Sequence, residues 1–127
     1  KLQASLTKEC LVTSELLASS VGSGIVDVYA TPMMIALMEN TAAELLSQFL
    51  DKGETSVGIR IDTSHDAATP AKMKVWATAQ ITAVDRKKVT FHIVAKDEKD
   101  VIGTAQHERF IVNKEKFEAK AQSKLDK

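Results

Sequence analysis

The stretch "YATPMMIALMEN" at residues 29–40 opens the longest helix that the sequence predicts. Thr31 is a suitable N-cap, and Pro32 suits the first helical position because the N–H group there would be unpaired anyway. Apolar residues then recur at helical spacing for several turns, and Gly53 favours termination shortly after them. We therefore predict one long, strongly apolar helix over residues 31–50, which needs a sheet to cover it.

After this helix the hydrophobic period changes from 3.6 to 2 residues, which is typical of strands. Strands are predicted over residues 55–65, 72–84, 89–96 and 101–112, joined by short polar turns. We also predict strands at residues 4–12 and 25–29, a short helical turn at 13–20 and a helical or frayed charged tail. One helix followed by antiparallel strands is an α+β pattern, and the simplest arrangement is a curved antiparallel sheet wrapped around the helix.

Composition limits the classes of protein that fit. The 127 residues suit a single domain, 1–127, and 17 acidic side chains balance 17 basic ones, so nothing points to nucleic acid or a membrane surface as partner. The only cysteine is Cys10, which favours a reducing compartment, and we expect a soluble, cytoplasmic protein. Metal-binding spacings such as CxxC or HExxH are missing from the sequence, so no metal site is expected, and no GxSxG, GxxxxGK[ST] or GxGxxG motif is found.

Glu39 is the first candidate for chemistry. Its neighbours three, four and seven residues away on a helix are all apolar, whereas Glu44 is surrounded by polar side chains and belongs to the wet face. A desolvated carboxylate can act as a general base or a nucleophile near neutral pH. The alternative is that Glu39 lies at the edge of the apolar stripe, where it reaches water or forms a structural pair.

His65 and Thr31 are the other candidates. His65 alternates in phase with Val57, Ile59 and Ile61, so its ring is expected on the sheet face that covers the helix. There it would form an acid–base pair with a carboxylate, although a lone inward histidine is more often structural. Thr31 would cap the helix or face a ligand where free N–H groups favour negative charge.

The other histidines are weaker candidates. His92 alternates onto the polar face of its strand, and His107 has no evident partner in the sequence.

Three segments together resemble the hotdog-fold thioesterases related to fluoroacetyl-CoA thioesterase. They are "YATPMMIALME", "VGIRIDTSHDAATP" and "IGTAQHERF", and the similarity runs from about residue 24 to residue 117. The most specific part is the spacing of Thr31, Glu39 and His65 together with the H-x-A-A-T-P turn that begins at His65.

The resemblance implies a hotdog fold whose active sites form where two subunits join their sheets, as a homodimer or larger homo-oligomer. It implies catalytic roles for Thr31, Glu39 and His65. It also implies that Gly58 brings backbone close to the acyl group and that Arg109 lies near the bound thioester or coenzyme. No cofactor is expected, because coenzyme A is part of the substrate.

One departure from the family concerns the substrate. The fluoroacetyl-specific enzyme carries phenylalanines ahead of its threonine that gate the pocket, whereas residues 13–31 here contain a single aromatic, Tyr29. We therefore expect hydrolysis of a small or medium acyl-CoA other than fluoroacetyl-CoA. The alternatives are a non-catalytic acyl-CoA binding module and a hotdog hydratase, although the Asp/His loop pattern of the hydratases is not evident.

Overall fold

The computed structural model describes residues 2–126 as a five-stranded antiparallel sheet with one long helix against it. The elements are β1 Ser5–Leu11, a 3-10 turn at Ser14–Leu16, α1 Ala18–Val21, α2 Thr31–Ser47, β2 Glu54–His65, β3 Lys74–Asp85, β4 Lys88–Asp97, β5 Val101–Asn113, α3 Lys114–Gln122 and a second 3-10 turn at Ser123–Leu125. The α+β prediction is confirmed, and each predicted strand after the long helix is found within two residues of its expected ends.

The strands are ordered β1-β3-β4-β5-β2, so β1 and β2 form the two edges of the sheet. Helix α2 contacts all five strands. Its buried face and the inward residues of β3 and β4 form the core, which alternates along β3 as Val75, Ala77, Ala79 and Ile81. The period-2 pattern therefore gave the correct inward face for this strand.

Two local predictions before α2 are wrong. Residues 25–29 form bends and a single bridge between Tyr29 and Leu17 instead of a strand, and Ile25 is 95% exposed. The N–H groups of Ala18 and Ser19 donate to the carbonyls of this segment, so it folds back on α1 instead of pairing with the sheet. The N-cap of α2 is Ala30, and Thr31 is the first helical residue.

A β-bulge in β2 overturns part of the predicted alternation. The pairing with β5 shifts between Gly58 and Arg60, and Ile59 is 50% exposed instead of facing the helix. A bulge inserts one extra residue, which reverses the side-chain phase on one side of it. As a result Gly58 faces α2, while Ile61 and His65 keep the inward orientation that was predicted.

Candidate active site

Thr31 and His65 form a hydrogen-bonded pair at the start of α2. Thr31 Oγ1 lies 2.7 Å from His65 Nδ1, so the hydroxyl is engaged across the fold instead of capping its own helix. His65 is the last residue of β2 and is half-buried. Since the N-cap position is one residue earlier, the threonine side chain is free to meet the strand.

The second nitrogen of His65 stands out for its lack of a partner among residues 2–126. His65 Nε2 is buried and makes no hydrogen bond within the described residues. Such an atom costs free energy unless something pairs with it, which makes it a natural contact for a bound molecule. Burial lowers the pKa of His65, and the charge of Asp66 opposes that effect only in part, so the imidazole is neutral near pH 7.

A cavity of about 280 Å³ opens beside this pair. Its lining includes Thr31 and His65, and the remaining side chains are mostly small: Ala18, Ser23, Gly24, Val26, Val28, Tyr29, Asp66, Ala67 and Ala68. The wall therefore comes from the segment that was wrongly predicted as a strand and from the turn after β2. It offers a mixed surface with an imidazole and a hydroxyl at its edge.

Glu39 lies two turns further along α2. It is half-buried and makes no hydrogen bond or ion pair with any residue in the described range 2–126. Glu44 behaves differently, because it is exposed and accepts a 2.6 Å hydrogen bond from Lys8 Nζ. The contrast predicted between the two carboxylates is thus present, and the Glu39 oxygens are available for another partner.

The surroundings of Glu39 include Gly58 and a buried basic pair. A Cβ placed on Gly58 would lie 2.8 Å from Glu39 Oε2, 3.2 Å from His107 Cε1 and 3.4 Å from Arg109 Nη1. Only glycine leaves this space open. The carboxylate therefore lies against backbone on one side and close to a guanidinium on the other.

Arg109 is held firmly in this cluster. Its Nε donates to Ser56 Oγ at 2.8 Å, its Nη2 donates to the Ser56 carbonyl at 3.1 Å, and its Nη1 lies 3.2 Å from His107 Nε2. Burial lowers the pKa of Arg109, while the negative charge of Glu39 acts in the opposite direction. A guanidinium remains charged even so, and it gives this part of the site a fixed positive charge.

The structure thus places the five predicted residues in two groups. Thr31 and His65 form one, and Glu39, Gly58 and Arg109 form the other. Thr31 and Glu39 are eight residues apart on one helix, which separates them by about 12 Å along its axis. A single chain therefore does not bring its own His65 to its own Glu39.

His107 is the residue that sequence reasoning missed. It is fully buried and touches the cluster around Glu39, although it was set aside for want of a partner. The signal lay in "IGTAQHERF", where Ala105, His107 and Arg109 alternate onto one buried face of β5. An inward histidine two residues from an inward arginine indicates a polar network.

Within residues 2–126 no group of three or more His, Cys, Asp or Glu side chains is arranged to hold an ion. The same part of the chain contains no helix long and apolar enough to cross a membrane.

Comparison with known proteins relates this chain to thioesterases. Residues 12–115 match the family described as fluoroacetyl-CoA-specific thioesterase. The fluoroacetyl-CoA thioesterase of Streptantibioticus cattleyicolor is 37% identical over 98 residues, which cover 77% of this chain and 70% of that protein.

Solved structures agree with the sequence matches. The fluoroacetyl-CoA thioesterase FlK superposes with a TM-score of 0.93 at 29% identity, covering 98% of this chain and 96% of that chain. A mutant of FlK whose structure contains fluoroacetate and CoA matches with a TM-score of 0.88 at 28% identity, over 92% of this chain and 98% of that chain. A thioesterase superfamily member from Thermus thermophilus gives 0.92 at 27% identity, over 99% and 93% of the two chains.

The fold and its structural matches define the class, that of the hotdog thioesterases. Within this class the chain belongs to the fluoroacetyl-CoA-specific thioesterase family. The resemblance recognised from three sequence segments is therefore confirmed.

Proposed function

We propose that this protein hydrolyses small or medium acyl-CoA thioesters, with Glu39 as the reacting carboxylate. The observation that carries the proposal is the state of Glu39, which is half-buried on the central helix, without any hydrogen bond or ion pair in residues 2–126, and next to a fixed guanidinium. Family membership supports the reaction class.

The reaction needs one water molecule and returns a carboxylate and a free thiol. In one route Glu39 removes a proton from a water molecule while that water attacks the thioester carbonyl carbon. In the other route the Glu39 carboxylate attacks the carbonyl carbon and forms an anhydride, which water then hydrolyses. In both routes the carbon–sulfur bond breaks and the thiolate takes a proton. His65 is suited to move that proton, because its Nε2 has no hydrogen-bond partner in residues 2–126, the residue lines the cavity, and its ring is neutral.

The remaining residues bind and orient. The Thr31 hydroxyl fixes the His65 ring through Nδ1, which leaves Nε2 for the substrate or water. Gly58 lets the acyl group approach backbone beside Glu39. Arg109 supplies positive charge where the carbonyl oxygen becomes negative, an effect that is strongest in a site that excludes water.

The separation of the two groups supports a homodimer with shared sites. Strand β2 is an edge strand of 12 residues, and it pairs with β5 on one side only. If two β2 strands pair antiparallel about a twofold axis between residues 61 and 62, Gly58 faces the partner's His65. Glu39 of one subunit then meets the imidazole of the other.

The cavity supports a small or medium acyl group other than fluoroacetyl. Its wall between residues 18 and 29 carries small side chains and a single aromatic, Tyr29, whose hydroxyl donates to the Met33 carbonyl instead of facing the cavity freely. Cys10 is a free thiol, which supports a reducing location such as the cytoplasm.

Thiol release from acyl-CoAs of two to twelve carbons tests the activity. We expect wild type to turn over at least one of them and Glu39→Gln to lose at least about 100-fold in kcat. Glu44→Gln is the matched control, because it makes the same change on the exposed face of the same helix, and it should remain within about twofold. If wild type binds acyl-CoA but does not hydrolyse it, the proposed thioesterase activity is wrong and a non-catalytic binding module is favoured.

Isotope transfer tests the nucleophilic route. If Glu39 is the nucleophile and water opens the anhydride at the Glu39 carboxyl carbon, several turnovers in ¹⁸O-labelled water place heavy oxygen in the Glu39 carboxylate, and mass spectrometry of its peptide detects this. Label enters only the released acid if Glu39 is the base, and also if water attacks the acyl carbon of the anhydride, so heavy oxygen in Glu39 is the outcome that establishes the nucleophile.

Mixing two inactive variants tests the shared site. In a heterodimer of Glu39→Gln and His65→Asn, one of the two sites contains both wild-type residues if they come from different subunits. Random re-association at equal concentration should then restore about a quarter of wild-type activity. If each subunit supplies both residues of its own site, no activity returns.

A further inference from the structure

His107 is a buried titratable group to which the proposed reaction assigns no part. Its ring is 0% exposed in the middle of β5, and its centroid lies 5.9 Å from that of Phe91. Nδ1 is 2.8 Å from the Arg60 carbonyl oxygen at the β2 bulge, and Nε2 is 3.2 Å from Arg109 Nη1. Both ring nitrogens are therefore engaged.

These two contacts determine where the proton resides. A carbonyl oxygen can only accept a hydrogen bond, so Nδ1 must carry the hydrogen that is donated to Arg60. A guanidinium can only donate, so Nε2 must present a lone pair to Arg109. Both bonds form only when the ring is neutral and protonated at Nδ1.

The network reaches the carboxylate through Arg109. Ser56 holds Nε and Nη2 of the guanidinium, and His107 holds Nη1, which is the nitrogen next to the space left by Gly58. Glu39 Oε2 borders the same space. The guanidinium that borders this space is thus held in place by the histidine as well as by Ser56.

We propose that His107 is a positioning residue which, as the neutral Nδ1–H tautomer, fixes the Arg109 guanidinium beside Glu39. The proposal rests on the proposed function only in treating Glu39 as the reacting group. A proton added at Nε2 would set N–H against N–H, so Arg109 would leave its place and activity would fall.

Several charges act on this ring. Arg109 disfavours its protonation, whereas the negative charges of Glu39 on α2 and Glu108 on β5 favour it. Burial is the largest influence and lowers the pKa of His107, in agreement with the neutral state that the hydrogen bonds require. From β2 the contact is the Arg60 carbonyl, and from β4 it is the uncharged Phe91 ring.

Imidazole ¹⁵N NMR of the wild-type protein is the first test, and it needs no activity. We expect His107 near pH 7 to show a protonated Nδ1 and an unprotonated Nε2, and the Arg109 side-chain N–H signals to be protected from exchange. A proton on Nε2, or an imidazolium, would overturn the proposal. Because this result does not depend on turnover, failure here is separate from failure of the thioesterase reaction.

Kinetics provides the second test. His107→Gln retains one donor and one acceptor but cannot titrate, so it should keep kcat/KM within about threefold and lose less activity than wild type as the pH is lowered. His107→Ala leaves Nη1 unpaired, and misplacement of Arg109 should reduce kcat by about 10–100-fold. His92→Gln on the exposed face is the matched control and should behave as wild type at every pH.

The outcomes are distinct. If His107→Ala does not fold, the His107→Gln variant and the NMR measurement still decide whether His107 positions Arg109. If His107→Gln follows the wild-type pH profile, or if folded His107→Ala keeps wild-type kcat, then His107 does not position Arg109 for the reaction.

Discussion

Adding one methyl group at Gly58 should disable Glu39 without unfolding the protein. The new Cβ would lie 2.8 Å from Glu39 Oε2, which is about 0.6 Å short of the 3.4 Å at which ordinary contact begins. Gly58 does not have a positive φ, so its backbone accepts alanine without strain. His107 and Arg109 are fixed by hydrogen bonds, and the group free to move is the unpaired carboxylate.

The size of the effect follows from that displacement. Moving a reacting group by about 1 Å can cost about 10²-fold in rate. A shift of about half that distance predicts a loss in kcat of about 10–100-fold, which corresponds to about 1.4–2.7 kcal/mol of transition-state stabilisation. Stability should change much less, because the end of a flexible side chain can give way more readily than backbone.

The assay compares Gly58→Ala with Gly53→Ala in thiol release and urea unfolding. Gly53 has φ +88 and no atom within 4 Å of a built Cβ, so its variant should lose about 1 kcal/mol of stability and keep wild-type kcat. In a Glu39→Gln background, Gly58→Ala should cause little further loss, because both changes act on one group. Wild-type kcat in Gly58→Ala would refute the reasoning.

Three further predictions concern stability. Burial lowers the pKa values of His65 and His107 below those of the unfolded chain, so below about pH 6.5 the unfolded chain binds more protons than the folded protein. The urea midpoint should therefore fall as the pH drops below about 6.5, and it should fall less steeply in His107→Gln. Thr69→Val removes a 2.8 Å bond to the buried Asp97 carboxylate and should cost about 1–3 kcal/mol in urea unfolding, whereas Thr69→Ser should restore most of it. Phe91→Ala empties the centre of the core and should cost about 3–5 kcal/mol, and a calorimetric loss under about 1 kcal/mol would contradict the packing described here.

The fold was predictable because the patterns of helix and sheet are local and strong. Period 3.6 over residues 31–50 and period 2 in the later segments each depend on a long run of side chains, so a single error does not change the element. The segment at residues 25–29 failed for the opposite reason. Five apolar-rich residues give little pattern, and backbone hydrogen bonds to Ala18 and Ser19 determined its shape instead.

The candidate site was predictable only in part. The placement of Glu39 follows from helix spacing, but the position of Gly58 depends on a bulge that no alternation rule reveals, since the strand on either side looks regular. Thr31 was assigned to its own helix because capping is a local effect. Its bond to His65 joins residues 34 positions apart and could not be read from either segment alone.

The spacing of Thr31 and Glu39 that the family resemblance singled out also sets how far apart the two side chains lie. An offset of eight positions from Thr31 to Glu39 fixes a separation of about 12 Å along a rigid helix, and no rotation of side chains closes that gap. His65 is tied to Thr31 by a hydrogen bond, so it is held away from the carboxylate of its own chain. The unpaired edge of β2 offers the route by which a second chain can bring an imidazole to Glu39. Activity per chain should therefore depend on protein concentration, falling on dilution below the dimer dissociation constant, while a site complete in one chain would keep its specific activity at every dilution.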